Sequence, residues 1–209
     1  MQLKEKISVL IGSTDKYDFL WDEFNYAFFK HFFPKIDVFF LTEKRKNTGI
    51  KTINVGNVSW YEGVSQSLLY FIKTKYVLWL QDDYFLIKNF TEKELENDLK
   101  YIEKFNIDRL GLCPVSHHYT MGEGNGGYIQ MHPESKYLIS LQPSIWKTDF
   151  FYGQLKKGES PWSFEINGTE RILNKGYKIS IRPLQWYIEV VTQGRYNKHY
   201  PNAKRILRL

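Results

Sequence analysis

Tyr76-Val77-Leu78-Trp79-Leu80-Gln81-Asp82-Asp83-Tyr84-Phe85-Leu86-Ile87 is the stretch that decides the fold. Its first five residues form an unbroken apolar run. Such a run reads as a strand buried on both faces, which places it at the centre of a parallel sheet. Gln81-Asp82-Asp83 ends it, and a second apolar run follows at once. Two adjacent carboxylates repel each other unless a cation or a basic group lies between them. An aspartate pair in a solvated turn normally keeps Gly, Asn or Ser for company, whereas this pair is wedged between apolar runs. Ligands of open α/β sheets bind off the carboxyl ends of strands, and hard divalent cations take carboxylate oxygens and bridge phosphates. The pair is therefore a candidate metal and phosphate site.

Working outward, residues 7–11 form another short apolar run, closed by Gly12-Ser13-Thr14-Asp15, which is turn and capping chemistry. Residues 17–33 read as an aromatic-rich helix stopped by Pro34. Residues 36–41 and, more weakly, 51–55 are strands, separated by a charged loop at 42–49. Val64, Leu68, Leu69 and Ile72 have helical spacing across 60–72. Beyond the aspartates, 91–105 is a surface helix with Thr91 as N-cap and Glu94 placed to complete a capping box. Strands are expected at 109–113, 137–142, 178–182 and 186–191. Short helices are expected at 147–155 and at 165–174, the latter closed by Gly176. The Gly-rich segment 117–133 is either a mobile loop or a strand pair with a wide turn. Such alternation implies parallel strands joined by right-handed crossovers. The expectation is one α/β domain over 1–209, a three-layer α/β/α sandwich with a mostly parallel central sheet. Its parts are a first half (1–90), a second half (91–192) and a basic tail (193–209).

The chain has 209 residues, enough to bury a core without staples. Aromatic residues make up 17% of it. Most must be core, and the remainder suits stacking on sugar rings or bases. A single cysteine, Cys113, can form neither an internal disulfide nor a zinc site, which suits a reducing compartment. No signal-peptide pattern is visible, and no apolar run approaches the roughly 18 residues of a membrane span. The expected location is cytoplasmic. The net charge is +6 and the basic excess is concentrated late: from Arg171 onward the only acid is Glu189. That bias calls for an anionic partner such as a nucleoside diphosphate, an anionic membrane surface or nucleic acid, unless it is simply a solvated face.

The acidic signature after the central strand resembles the A-type, nucleotide-diphospho-sugar-binding fold of glycosyltransferases. More of the chain is similar to bacterial sugar transferases of polysaccharide and lipopolysaccharide assembly. The resemblance rests on Thr14-Asp15 with Asp22, Ser59-Trp60, the 76–86 run, Leu141-Gln142-Pro143-Ser144-Ile145-Trp146, and Glu159-Ser160-Pro161-Trp162-Ser163-Phe164-Glu165. It implies a metal-assisted transfer from a nucleoside-diphosphate sugar to a glycan or lipid-linked acceptor, with manganese or magnesium as cofactor. Asp83 would be the first metal ligand and Asp82 the second. Thr14, Asp15, Trp60, Gln81 and Asp82 would meet the nucleotide sugar, and Arg195, with Lys198, would fold over its diphosphate. Glu165 would be the base of an inverting displacement, with Glu159, Asp149 and Glu170 as rivals. Trp146 and Trp162 would offer rings to the acceptor, although burial explains either as well. The basic residue that such enzymes often carry after the Ser-Trp pair is replaced here by Glu62-Gly63.

His117-His118 lacks a partner pair at a zinc spacing, while His199 is a candidate third metal ligand. Nucleophile elbows, Walker loops and dinucleotide fingerprints are absent. Two other functions stay open. A sugar-nucleotide nucleotidyltransferase shares the fold, but opens with a Gly-rich basic loop where this chain has Gly12-Ser13-Thr14-Asp15-Lys16. A non-catalytic basic module for glycan or nucleic acid would give the aspartates no role. For the transferase, nucleic acid is not an expected partner, whereas peripheral contact with an anionic membrane is.

Overall fold

The computed structural model describes residues 2–47, 49–113, 121–192 and 194–208, with the backbone alone at 121–125. The first helix, α1 (Leu3–Lys6), leads into β1 (Ile7–Gly12). A 3-10 segment (Asp15–Leu20) and α2 (Trp21–His31) follow, then β2 (Val38–Thr42) and β3 (Lys51–Asn54). Helix α3 (Trp60–Gln66) ends in a π turn (Ser67–Phe71) and returns the chain to β4 (Tyr76–Gln81), β5 (Tyr84–Leu86) and α4 (Glu92–Phe105). The second half contains β6 (Arg109–Gly111), β7 (Met121–Asn125), β8 (Tyr128–Met131), β9 (Ser144–Lys147), α5 (Thr148–Gln154), α6 (Pro161–Ile172) and β10 (Ile179–Ile181). Last come β11 (Tyr187–Glu189), β12 (Val191–Thr192), β13 (Arg195–Tyr196) and α7 (Tyr200–Leu207).

Nine strands form the main sheet in the order β3-β2-β1-β4-β9-β6-β10-β8-β7. The pairs β3-β2, β2-β1, β1-β4 and β6-β10 are parallel, so only β9 and β8 run against the common direction. The mostly parallel sheet is as expected. The side chains of β4 alternate between two cores. Tyr76, Leu78 and Leu80 join Ile7, Val9 and Ile11 beneath α2, α4 and α7. Val77 and Trp79 join Leu10 and Trp146 beneath α3, α5 and α6. Helices therefore cover both faces, which explains why this strand is apolar from Tyr76 to Leu80.

The chain winds outward from β1 through β2 to β3, then returns across β1 to lay down β4. Strand order reverses between β1 and β4, and at such a switch point the loops part and leave a crevice at the carboxyl ends. Gly12 and Gln81 are register partners there. The crevice is thus bounded by Ser13 and Thr14 on one side and by Asp82 and Asp83 on the other.

Three expectations are corrected. Residues 137–142 are not a strand. Side chains satisfy this backbone in place of a ladder. Trp79 Nε1 donates to the Leu141 carbonyl, the buried Arg109 guanidinium donates to the Leu138 and Ser140 carbonyls, Leu141 N donates to Glu165, and Ile139 N donates to Thr169. The 193–209 segment is more than a tail: α7 buries Ala203 and Leu207 completely, and β13 pairs with β12. Thr91 does cap α4, accepting from Glu94 N at 3.2 Å, but the Glu94 carboxylate leaves the capping box to pair with Arg182, which also holds the buried Asp98. That pairing uses one of the late basic residues internally. The Gly-rich segment resolves into the pair β7-β8 with Gly126 and Gly127 at its turn, both with positive φ, while His117 and His118 lie outside the described residues. Among the described residues no helix is long and apolar enough to cross a membrane.

Candidate active site

Two cavities open at the switch point. One, of about 250 Å³, is lined by Ser13, Thr14, Tyr17, Trp60, Asp82 and Asp83 among others. Its neighbour, about 340 Å³, is lined by Asp83, Tyr84, Tyr137, Gln142, Glu165 and Glu189 among others. Gln81 and Asp83 line both, so Asp83 stands where a ligand in one cavity would meet a ligand in the other.

The two aspartates differ in their surroundings. Asp82 is turned into the protein, where Ser13 Oγ donates to its Oδ2 and Trp21 Nε1 approaches the same oxygen at 3.3 Å. Burial nevertheless pushes its carboxyl up to about 7, against those hydrogen bonds. Asp83 has less help. Its Oδ1 is buried with no hydrogen-bond partner among the described residues. Burial raises its carboxyl to about 8, and the neighbouring charges of Asp82 and Glu189 add to the rise. A buried, unpaired carboxylate oxygen is costly unless a ligand satisfies it. Thr14 Oγ1, on the same cavity, is also buried and unpaired. Such atoms suit a ligand that brings both a cation and hydrogen-bonding groups. The described residues preassemble no group of three His, Cys, Asp or Glu around a metal position. A cation here would rest on Asp83, with Asp82 behind it, and take its remaining oxygens from its ligand.

The second cavity has a different chemistry. Glu165 lies in the second turn of α6, with Pro161 at N1 and Ser160 as N-cap. Its Oε1 accepts from Leu141 N at 2.6 Å. Burial raises its carboxyl, and that backbone bond, Ser140 and Arg109 pull it back down. A carboxylate held in place by a backbone N–H and raised by burial is suited to accept a proton from a bound hydroxyl. Glu189 faces the same space from β11. It reaches the site because β11 pairs with β5, which begins immediately after Asp83, and Val190 N donates to the Asp83 carbonyl. Glu189 is also raised by burial, with His199 acting in the opposite direction.

The expected site residues divide sharply. Thr14, Trp60, Gln81, Asp82, Asp83 and Glu165 all line one cavity or the other. Asp15 does not: its carboxylate accepts from Lys44 N and Arg45 N and clips the loop after β2 to the end of β1. Trp146 is corrected outright. It has no exposed surface and stacks on Phe151 at 4.5 Å in the core, so it has no face to offer an acceptor. Trp162 is two-thirds exposed beside Pro161, which lines the first cavity, but does not line it itself. Arg195 is exposed on β13 and lines neither cavity, while the adjoining Gly194 lies near the Tyr17 hydroxyl. His199 is exposed ahead of α7. Glu62 completes a capping box with Ser59, which accounts for an acid after the Ser-Trp pair.

Sequence reasoning missed Glu189, Tyr137, Gln142, Ser13 and Tyr17. For Glu189 a signal existed, since it is the sole acid in a basic segment. Tyr17 is raised by burial and then by the two aspartates, a relation set by the fold alone.

No family model matches the sequence, and no curated protein matches it. Solved structures do. TarS 1–349 of S. aureus aligns at TM-score 0.59 and 13% identity, over 97% of this chain and 69% of that one. The same protein in complex with UDP aligns at 0.58 and 14%, and there this chain spans 64% of the other. A UDP-glucose pyrophosphorylase complexed with UDP-glucose aligns at 0.58 and 8% identity, over 97% of both chains. At these identities the likeness establishes the fold, a nucleotide-diphospho-sugar transferase-like α/β/α sandwich.

Proposed function

We propose that this chain is a glycosyltransferase that moves a sugar from a nucleoside-diphosphate sugar to a hydroxyl of a glycan or lipid-linked acceptor. One observation carries the reading: two cavities of different chemistry meet at a buried carboxylate whose Oδ1 has no partner among the described residues. The cavity at the end of β1 takes the nucleotide, with Thr14 offering a hydroxyl and Tyr17 and Trp60 offering rings. The cavity under Glu165 takes the acceptor. Glu165 accepts the proton of the attacking hydroxyl, and the displacement inverts the sugar carbon. Asp83 and Asp82 hold a manganese or magnesium ion, which when bound neutralises charge on the departing diphosphate. In support, the fold is shared with proteins solved with UDP and with UDP-glucose.

The full-length likeness to a pyrophosphorylase favours a second reading, a nucleotidyltransferase. The loop after β1 argues against it. That loop has no glycine beyond Gly12, the last residue of β1, its Ser13 is committed to Asp82, and Asp15 is committed to the 44–45 backbone.

A thermal-shift screen separates these readings. Nucleoside diphosphates, sugar nucleotides and nucleoside triphosphates are tested with and without manganese on wild type and Asp83→Ala. A ligand at a hundred times its Kd adds about 2.7 kcal/mol, or about 5–10 °C for a domain of this size. The transferase reading expects a manganese-dependent shift with one diphosphate and its sugar, lost in the variant. A shift with triphosphate alone, accompanied by pyrophosphate release, supports the second reading. No shift with any nucleotide on a folded protein removes both.

A further inference from the structure

We propose that the outward face of α2, together with its two basic flanks, is a docking surface for anionic membrane. One face of α2 is buried through Trp21, Phe24, Asn25, Ala27 and Phe28, while Tyr26 and Phe29 point outward at 44% and 54% exposure, with the exposed Asp22 one turn before Tyr26. Phe33, just past the end of the helix, is 50% exposed. Three large rings in water along one edge form a patch of the kind that marks an interaction surface.

The flanks identify the occupant. On one side Phe29 packs against Gly49, and Asn25 and Asn47 exchange amide hydrogen bonds, which ties the 44–49 loop to α2. That loop presents Lys44, Arg45 and Lys46, all exposed. Among the described residues Arg45 alone of these three is ion-paired, with Asp18. On the other side α7 runs alongside α2 in the same direction. Tyr200 donates to Glu23 at one end, and Lys30 donates to the Leu207 carbonyl at the other. Lys30 Nζ also lies 5.0 Å from the centre of the Tyr26 ring. This flank carries Lys204, Arg205 and Arg208, with Ile206 exposed among them. The result is an aromatic ridge between two cationic margins. Rings that enter the headgroup boundary, beside cations that meet lipid phosphates, are the arrangement of an interfacial membrane surface. A second protein chain of ordinary composition would not call for cations on both sides. Ring contacts from Tyr17 to Phe19, from Phe19 to Tyr196 and from Tyr196 to Tyr200 connect this face with the nucleotide-side cavity.

The test is vesicle flotation with the intact chain and no nucleotide. Its result is independent of the transferase reading, and a failure would leave the manganese-dependent thermal shift untouched. Vesicles are phosphatidylcholine alone, or phosphatidylcholine with phosphatidylglycerol at about one part in three. Binding is expected with the anionic vesicles only, weakening as salt rises. Phe29→Ser with Phe33→Ser should weaken it about tenfold or more, while Phe29→Leu with Phe33→Leu retains it. Lys44→Glu, Lys46→Glu and Arg205→Glu together should abolish it. Lys44, Lys46 and Arg205 are exposed, whereas Phe29 and Phe33 are half-exposed and Phe29 also touches Phe28, so a thermal scan checks that every variant is folded at the flotation temperature and the leucine pair controls for lost packing. Absence of binding, equal binding to neutral vesicles, or unchanged binding by the serine and glutamate variants would overturn the proposal. So would a wild-type dimer, seen by sedimentation, that ignores vesicles and dissociates in the serine variant; that outcome assigns the ridge to a second copy.

Discussion

Replacing Asp83 with Asn should make the ligand-free protein more stable, and more so as pH rises. The ordinary aspartate value is 3.8, and burial with two neighbouring acids pushes Asp83 to about 8. A carboxyl raised in the folded state contributes its full stability below the unfolded value and loses it as pH climbs through the folded value. Between about pH 4 and pH 8, folding therefore carries a growing cost from this side chain, which levels off above pH 8. Each tenfold change in proton affinity is worth about 1.4 kcal/mol, so the ceiling at pH 7.5 is about 5 kcal/mol. Asp82 shares the repulsion and can yield in its place, and the site lies on two open cavities. A working figure is about 2 kcal/mol, or about 4–8 °C in Tm for a domain of this length. Asparagine keeps the shape and removes the charge. Thermal scans of wild type and Asp83→Asn at pH 5 and pH 7.5, in chelator, read the difference directly. The expected gap is small at pH 5 and opens at pH 7.5 in favour of the variant. With manganese and the matching nucleoside diphosphate the order reverses, because only wild type gains. Equal melting at both pH values, or a less stable variant at pH 7.5, would refute the claim that Asp83 is an uncompensated buried acid awaiting a ligand.

Glu165→Gln retains an oxygen for Leu141 N, so the fold and the nucleotide thermal shift should persist while sugar transfer falls about 10²–10⁴-fold; unchanged transfer would remove Glu165 as base. Arg182→Met strands the fully buried Asp98 beside Glu94, and denaturant melts should show a loss of about 3–5 kcal/mol at neutral pH. Much of that loss should vanish as Asp98, raised by burial to about 6 even with its arginine present, protonates at lower pH. Gly12→Ala would drive a methyl into the Trp79 ring, which is pinned by its bond to the Leu141 carbonyl. A stability loss of about 1–3 kcal/mol and a weakened nucleotide shift are expected together.

The parts of this molecule legible in its sequence are those fixed by local periodicity. The β4 run, the helices at 21–31 and 92–105 and the Asp82-Asp83 break announce themselves, because a strand covered on both faces must be apolar throughout and its end must meet water or ligand. What escaped reading depends on partners distant in sequence. Residues 137–142 have the composition of a strand, but Arg109, Trp79, Glu165 and Thr169 satisfy their backbone from three other elements, β6, β4 and α6. Trp146 sits in a motif-like string, yet β9 alternation sends it into the core with Phe151. The late basic segment looks like a solvated tail because α7 needs only Ala203 and Leu207 to anchor it, too few positions to show a period.

Glu189 shows how the site depends on that non-local order. It is 106 positions from Asp83, and no spacing rule connects the two. The connection is geometric: β4 ends at the switch point, β5 starts after a two-residue break, and β11 pairs with β5 in a register that sets Glu189 against Tyr84. A third acid thereby joins two that already repel each other, and all three are raised by burial. A fold has no stability to gain from gathering acids in this way. Arg182, at the end of β10, instead neutralises Glu94 and Asp98 of α4. The convergence of Asp82, Asp83 and Glu189, with no cationic side chain of the described residues among their hydrogen bonds, is therefore best understood as a site whose positive charge arrives with its ligand. Glu189→Gln tests that argument. It should lower the acidity perturbation at Asp83, shift the pH dependence of the Asp83→Asn stability gap toward lower pH, and weaken manganese-dependent nucleotide binding without abolishing it. A Glu189→Gln protein whose stability profile and manganese dependence match wild type would detach Glu189 from the site.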